Sequence, residues 1–172
     1  MALELLNRQT LASITDLTTP TATAKYPIGL EVSIMDNSTG YMKKYIYVKN
    51  LNATTSAKAA MVVGLSGTAG SELVVAEPAT SAVYQIAGVA NVEVAANYYF
   101  FLQVYGDTTV VSTTDTTVGN TGILANGVTT VTDSAAATVT GETIGIIKTT
   151  ATGSVDISLF LTGERIIIVT GE

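Results

Sequence analysis

Apolar and polar residues alternate with a period of two along most of the chain, and that alternation predicts strands. "GLEVSIMD" sets Leu30, Val32 and Ile34 against Glu31 and Ser33, then ends in the turn-formers "DNSTGY". "YMKKYIYVKNL" places Tyr45, Tyr47 and Lys49 on one face and Ile46, Val48 and Asn50 on the other. The runs "AAMVVGL", "SELVVAE" and "VYQIAGVANVEVA" follow, separated by "SGTAG" and "PATS". In "NYYFFLQVYG", residues 97–106, both faces are apolar. Tyr98, Phe100, Leu102 and Val104 point one way, and Tyr99, Phe101, Gln103 and Tyr105 the other. One face can pack inside a sandwich. The second needs another layer of the same chain, a neighbouring subunit or a ligand.

The Thr-rich stretch "GDTTVVSTTDTTVGNTG" repeats "DTTV" at Asp107 and Asp115. Its β-branched residues predict strand rather than a disordered tract. "ILANGVTTVTD" carries the Asn-Gly step of a hairpin, and "ATVTGETIGIIKTT", "ATGSVDISLFLTG" and "ERIIIVTG" continue the pattern. Short strands between frequent turns, with no amphipathic helices among them, predict an all-β body over residues 26–172. It is a β-sandwich or jelly-roll-like unit, or a small barrel. Residues 1–25 read differently. Leu3, Leu6, Ala12, Ile14 and Leu17 follow a partial helical period, and "TTPTATAKYP" is extended by composition. This predicts an N-terminal arm, the alternative being a helix packed on the chain's own core.

Composition sharpens the picture. Only 13% of residues are charged, against about 25% in an ordinary soluble domain, and the mean hydropathy is +0.41. Such a chain either dissolves poorly or hides much of its surface against partners. No apolar run approaches the roughly 20 residues of a membrane span, so assembly is expected rather than a membrane. The net charge of -6 opposes binding to a phosphate backbone, so no nucleic acid is expected. The lysines at 43, 44 and 49 read as the outer face of a half-buried strand. With no His and no Cys, the usual Ser-His, Cys-His, zinc and haem sites are excluded. Asp36, Asn37 and Asp107 lack the spacing of a calcium loop, so Asx turns are their expected use. No catalytic, cofactor or metal residue is assigned, and no enzyme is expected.

The order "YIYVKN", then "AGVANVEVAANYYFFLQVYG", then "GETIGIIKTTATGSVDISLFL" resembles the decoration, or cement, proteins of tailed bacteriophages. The matching pieces are residues 45–49, the "VxGVA"-like turn at 83–90, Tyr98, Tyr99, Phe101 and Gln103 of the aromatic strand, and residues 144–159. The chain departs from the pattern at Phe100, where a small residue is expected. The resemblance implies a virion structural protein on the outer surface of the capsid, bridging neighbouring major capsid proteins. It also implies a homotrimer, with a homodimer as the alternative. Tyr99, Phe101, Gln103 and Tyr105 are then the expected oligomer interface, and Leu3, Leu5, Leu6, Leu11 and Ile14 of the arm the expected capsid contact. The alternative function is a receptor- or glycan-binding module of a phage tail or adhesin, with exposed tyrosines lining a sugar site. Phe101→Asp separates two expectations: an interface position gives a dissociated but folded subunit, a core position an unfolded one.

Overall fold

The computed structural model describes residues 14–65, 73–76, 84–125, 127–135 and 141–163. Among them lie one 3-10 helix, Ile14–Thr18, and the strands β1 (Glu31–Met35), β2 (Met42–Asn50), β3 (Thr54–Thr55), β4 (Ala59–Leu65), β5 (Leu73–Ala76) and β6 (Tyr84–Ala90). They continue with β7 (Val94–Ala95), β8 (Tyr99–Val111), β9 (Thr121–Ala125), β10 (Val131–Asp133), β11 (Gly141–Ile147) and β12 (Asp156–Leu161). The all-β expectation holds. The final "ERIIIVTG" lies outside the described residues.

Ten strands form one sheet in the order β1-β2-β5-β4-β6-β8-β12-β11-β9-β10, and β3 pairs with β7 beside it. β2 also pairs with β8 over residues 44–49. Pairings therefore run from β2 through β5, β4 and β6 to β8 and back to β2. Two links of this circuit are thin: β2–β5 joins two residue pairs and β6–β8 only Val89 with Gln103. The first half is thus a curled sheet rather than a fully laddered barrel. The second half, β12-β11-β9-β10, extends from it as an open sheet.

β8 belongs to both halves. Its residues 99–105 pair with β2, and residues 106–111 pair with β12. Gly106 stands at the junction with φ +91, and a Cβ there would lie 2.5 Å from the carbonyl oxygen of Met42. Only glycine accepts that backbone and that approach together. Gly145 answers a second close approach. A register shift lies between Thr143 and Gly145, and a Cβ at Gly145 would lie 2.2 Å from the oxygen of Phe160.

Strand alternation distributes side chains among three cores. Ile46, Val48, Met61, Val63, Val75, Phe100 and Leu102 fill the inside of the curl. Ala60, Val62, Ala87 and Val89 face the other way and meet Val110, Leu124, Ile144, Ile157 and Leu159 of the second half. β4 is therefore buried on both faces, which is why it reads as the unbroken apolar run "AAMVV". Tyr45, Tyr47 and Phe101 form the third cluster, on the outside of the β2–β8 pair. At the far end of β2, buried Asn50 donates to the carbonyls of Val94 (3.0 Å) and Ala95 (3.2 Å). Its Oδ1 accepts from Thr55 Oγ1 (3.2 Å) and the Asn52 amide (3.0 Å), so all its polar atoms are used and β3–β7 is tied to the sheet.

Asp133 does similar work at the end of β10. It is only 3% exposed. Its Oδ2 accepts from the Thr117 amide, and its Oδ1 from the Asn120 side-chain amide and the Ala135 amide, each at 2.8 Å. Burial acts to raise its pKa, but those donors outweigh burial and hold the pKa below the ordinary value. A carboxylate depressed in the folded state stabilises it above the unfolded pKa of about 3.9. That contribution is lost as pH falls through the folded value. Asp133→Asn replaces one acceptor oxygen with an amide donor, which then faces the Thr117 amide or, if flipped, the Asn120 and Ala135 donors. We expect it to cost about 1–3 kcal/mol at pH 7 and to shrink the loss of stability between pH 5 and pH 2, read from urea unfolding at each pH. A variant as stable as the parent at pH 7 would show that this cluster contributes nothing.

Candidate interaction site

The outer face of β2–β8 is covered by the chain's own N-terminal segment. The 3-10 helix brings Leu17 onto the aromatic cluster, where it is 5% exposed, and Tyr26, Leu30, Val32, Ile34 and Tyr99 pack around it. Thr21 and Tyr99 exchange two backbone hydrogen bonds, at 2.9 and 2.8 Å. The Gly29 amide donates to the Tyr47 carbonyl (2.8 Å), and the Tyr47 amide donates to the Leu30 carbonyl (2.9 Å). The Lys25 amide reaches the Tyr47 hydroxyl at 3.0 Å. Tyr26 meets Tyr47 edge-on with ring centroids 5.3 Å apart, and Phe101 lies 4.9 Å from Tyr47. Burying rings and leucine in this way contributes roughly 1.5–3 kcal/mol per large side chain.

This arrangement bears on two sequence-based expectations. Phe101 and Gln103 are each 1% exposed within a single chain, so neither presents a surface to another subunit. Tyr99 and Tyr105 are half-buried. Tyr99 stacks on Tyr47 at 6.2 Å, and Tyr105 meets Phe160 edge-on at 5.3 Å. Leu17, Thr21 and Lys25, within the segment expected to be an arm, lie against β2 and β8. Of the expected arm contacts, Leu3, Leu5, Leu6 and Leu11 lie outside the described residues, and Ile14 opens the 3-10 helix.

Gln103 is buried in the floor of a polar groove of about 550 Å³. Its Oε1 accepts from Asn91 Nδ2 (2.8 Å), and its Nε2 donates to the carbonyls of Asp107 (2.9 Å) and Tyr105 (3.2 Å). Asn91 Oδ1 in turn accepts from Thr108 Oγ1 at 3.1 Å. Lys43, Lys58 and Lys148 line the walls with Thr39, Thr109 and Ser158. Each lysine has a carboxylate partner. Lys148 binds Asp107 at 2.7 Å, Lys43 binds Asp36 at 2.8 Å, and Lys58 binds Asp156. Asp36 also closes the β1–β2 turn, accepting from the Ser38 amide (2.9 Å) and hydroxyl (2.6 Å). Hydrogen bonding from Lys43, then from Ser38, pulls its pKa well below the ordinary carboxylate range. The exposed residues Met35, Tyr41 and Met42 gather at that same hairpin.

No protein-family model matches this chain, and no curated protein does. Among solved structures it is similar to the N base of the head fiber gp8.5 in bacteriophage phi29. The two share 12% identity at a TM-score of 0.46, over 80% of this chain and 98% of that one.

The groove went unseen in the sequence because its lining is drawn from residues 39–158, in pieces of one to three residues. The only local signal is the Asp107-Thr108-Thr109 string at the kink of β8, and its likeness to the second "DTTV" disguised it. Asp36 adopts the Asx turn expected of it.

Because Phe101 is core, Phe101→Asp places an unpaired charge where no water reaches, which costs on the order of 3–5 kcal/mol. The expected outcome is loss of the cooperative unfolding transition and of near-ultraviolet circular dichroism. A folded subunit of reduced molecular mass, seen by sedimentation, would instead return Phe101 to an interface.

Proposed function

We propose that this chain is a non-enzymatic structural protein of a tailed-phage virion, a decoration or cement protein on the outer surface of the capsid. There it bridges neighbouring major capsid proteins. The observation that carries the reading is where the segments of the sequence resemblance lie. The described residues of these segments include 45–49 on β2, 84–90 as β6, 99–103 on β8 and 144–159 on β11, β12 and their connection, and these strands are contiguous through β8. A likeness spread thinly along the chain thus condenses into one packed unit. The low charged fraction and the exposed Met35 and Met42 support a protein that works against a partner surface.

Assembly as a homotrimer, or failing that a homodimer, belongs to the same proposal. With Phe101 and Gln103 inside the subunit, we assign that assembly to Tyr99, Tyr105, Met35 and Met42. The capsid contact is assigned to Leu3, Leu5, Leu6 and Leu11, which precede the segment tied to the body.

Two truncations test the reading. Removal of residues 1–13 keeps Leu17 and Thr21, so the body should fold with an unchanged midpoint yet bind undecorated, expanded capsids at least tenfold more weakly, about 1.4 kcal/mol. Removal of residues 1–20 also strips Leu17 from the aromatic cluster and should lower stability by about 2–5 kcal/mol. Cosedimentation with capsids reads the first effect and urea unfolding the second. Undiminished binding by the shorter truncation would move the anchor to the β body. Failure of the full chain to bind any capsid would overturn the function itself.

A further inference from the structure

The polar groove has the chemistry of a ligand site, and the capsid role does not use it. Its floor is fixed. Gln103, a fully buried side chain, spends its amide on Asn91 and on the backbone of β8, and Asn91 holds Thr108. A floor braced in this way does not rearrange when a ligand arrives. Its walls offer ammonium donors from Lys43, Lys58 and Lys148, the Asp107 carboxylate as acceptor, and hydroxyls that both give and accept from Thr39, Thr109 and Ser158. At the rim is an aromatic ring. Tyr41 is 56% exposed, and its centroid lies 5.9 Å from Lys148 Nζ.

Charge balance narrows the ligand class. Every lysine of the groove is already bonded to an aspartate, Lys148 to both oxygens of Asp107 at 2.8 and 2.7 Å. An anion would have to displace a carboxylate that is already in place, and a chain with net charge -6 does not attract one from a distance. A nucleic acid is disfavoured on the same ground, since it needs uncompensated cations. A metal ion is disfavoured because the aspartates are committed to ammonium groups. A wholly apolar ligand would strip water from those ion pairs and hydroxyls and return no hydrogen bond. What remains is a neutral molecule rich in hydroxyls, able to accept from an ammonium while donating to the neighbouring carboxylate. A pyranose does this with adjacent hydroxyls, and its C–H face packs on an exposed tyrosine. We propose that this groove binds an oligosaccharide, with Lys148, Asp107, Asn91 and Thr108 reading the hydroxyls and Tyr41 stacking on a ring.

The test uses the full chain on an array of bacterial surface oligosaccharides that includes neutral and acidic members. Heparin and polyphosphate serve as charge controls. The strongest neutral glycan is then titrated by calorimetry against the parent protein, Lys148→Ala, Tyr41→Ala and, as a control remote from the groove, Val118→Ala. Val118 and Tyr41 are both exposed, so thermal unfolding should be unchanged in those variants. We expect retention of neutral glycans that persists at 0.5 M salt (a charge site would be screened), and a loss of about tenfold in affinity for each groove variant, about 1.4 kcal/mol. Val118→Ala should bind like the parent. Three outcomes would overturn the proposal: no glycan retained, retention of acidic polymers alone that salt abolishes, or neutral-glycan binding that ignores both groove variants. Capsid attachment is read separately by cosedimentation, so either function can fail without the other.

Discussion

Pairing of β2 with β8 has to satisfy two cores at once, because each strand turns alternate residues to opposite sides. Ile46 and Val48 look into the curl with Phe100 and Leu102, while Tyr45 and Tyr47 look outward with Tyr99 and Phe101. A slip of one residue would exchange the sets, driving tyrosine hydroxyls into an aliphatic interior and leaving the outer cluster without its rings. The register Tyr47↔Phe101 is therefore the constraint from which the rest follows. It fixes where Thr21 and Leu30 can bond, and hence the path of the N-terminal segment. It also fixes where β8 reaches Gly106 and crosses into the second half of the sheet.

The strands were legible where alternation was strong. β1 and β2 carry the faces their sequences announce, and the strand expected of "AAMVVGL" is β4, although its burial on both faces emerges only from the two cores it joins. The two rows of "NYYFFLQVYG" divide as their spacing requires, apart from Tyr98, which precedes β8 and remains partly exposed. What covers the second row was not legible. Leu17, Tyr26 and Leu30 are nine and four residues apart, which matches neither a helix nor a strand, and a Thr- and Pro-rich stretch surrounds them. Backbone hydrogen bonds to β2 and β8 do the work that a periodic apolar face would otherwise signal.

The two "DTTV" strings show the limit of local reading. The first continues β8, and its Val110 is fully buried. The second is a loop in which Asp115 accepts the Gly153 amide at 2.7 Å and Val118 is 56% exposed. Identical residues take different structures because the first has a partner strand along its whole length, whereas the second is paired only at the Thr116–Ala151 bridge. The polar groove is illegible for a related reason: its members meet only after β8 has bent and both halves of the sheet have closed around it.

The β2–β8 pairing also has a kinetic consequence. Its two strands occupy residues 42–50 and 99–111, so about fifty residues must be made before β2 meets its main partner. Contacts of such long range are slow to form, since the loop between them must close before any contact is gained. Until then Tyr45 and Tyr47 have neither β8 beside them nor a completed cluster above them, and a nascent chain in that condition is prone to stick to others like it. The segment at residues 14–30 leaves the ribosome before β2 and β8 do but needs Tyr99 and Phe101 to dock. It is synthesised early and packed late. Conditions that slow its docking should therefore lower the yield of soluble subunit before they lower the stability of the finished one.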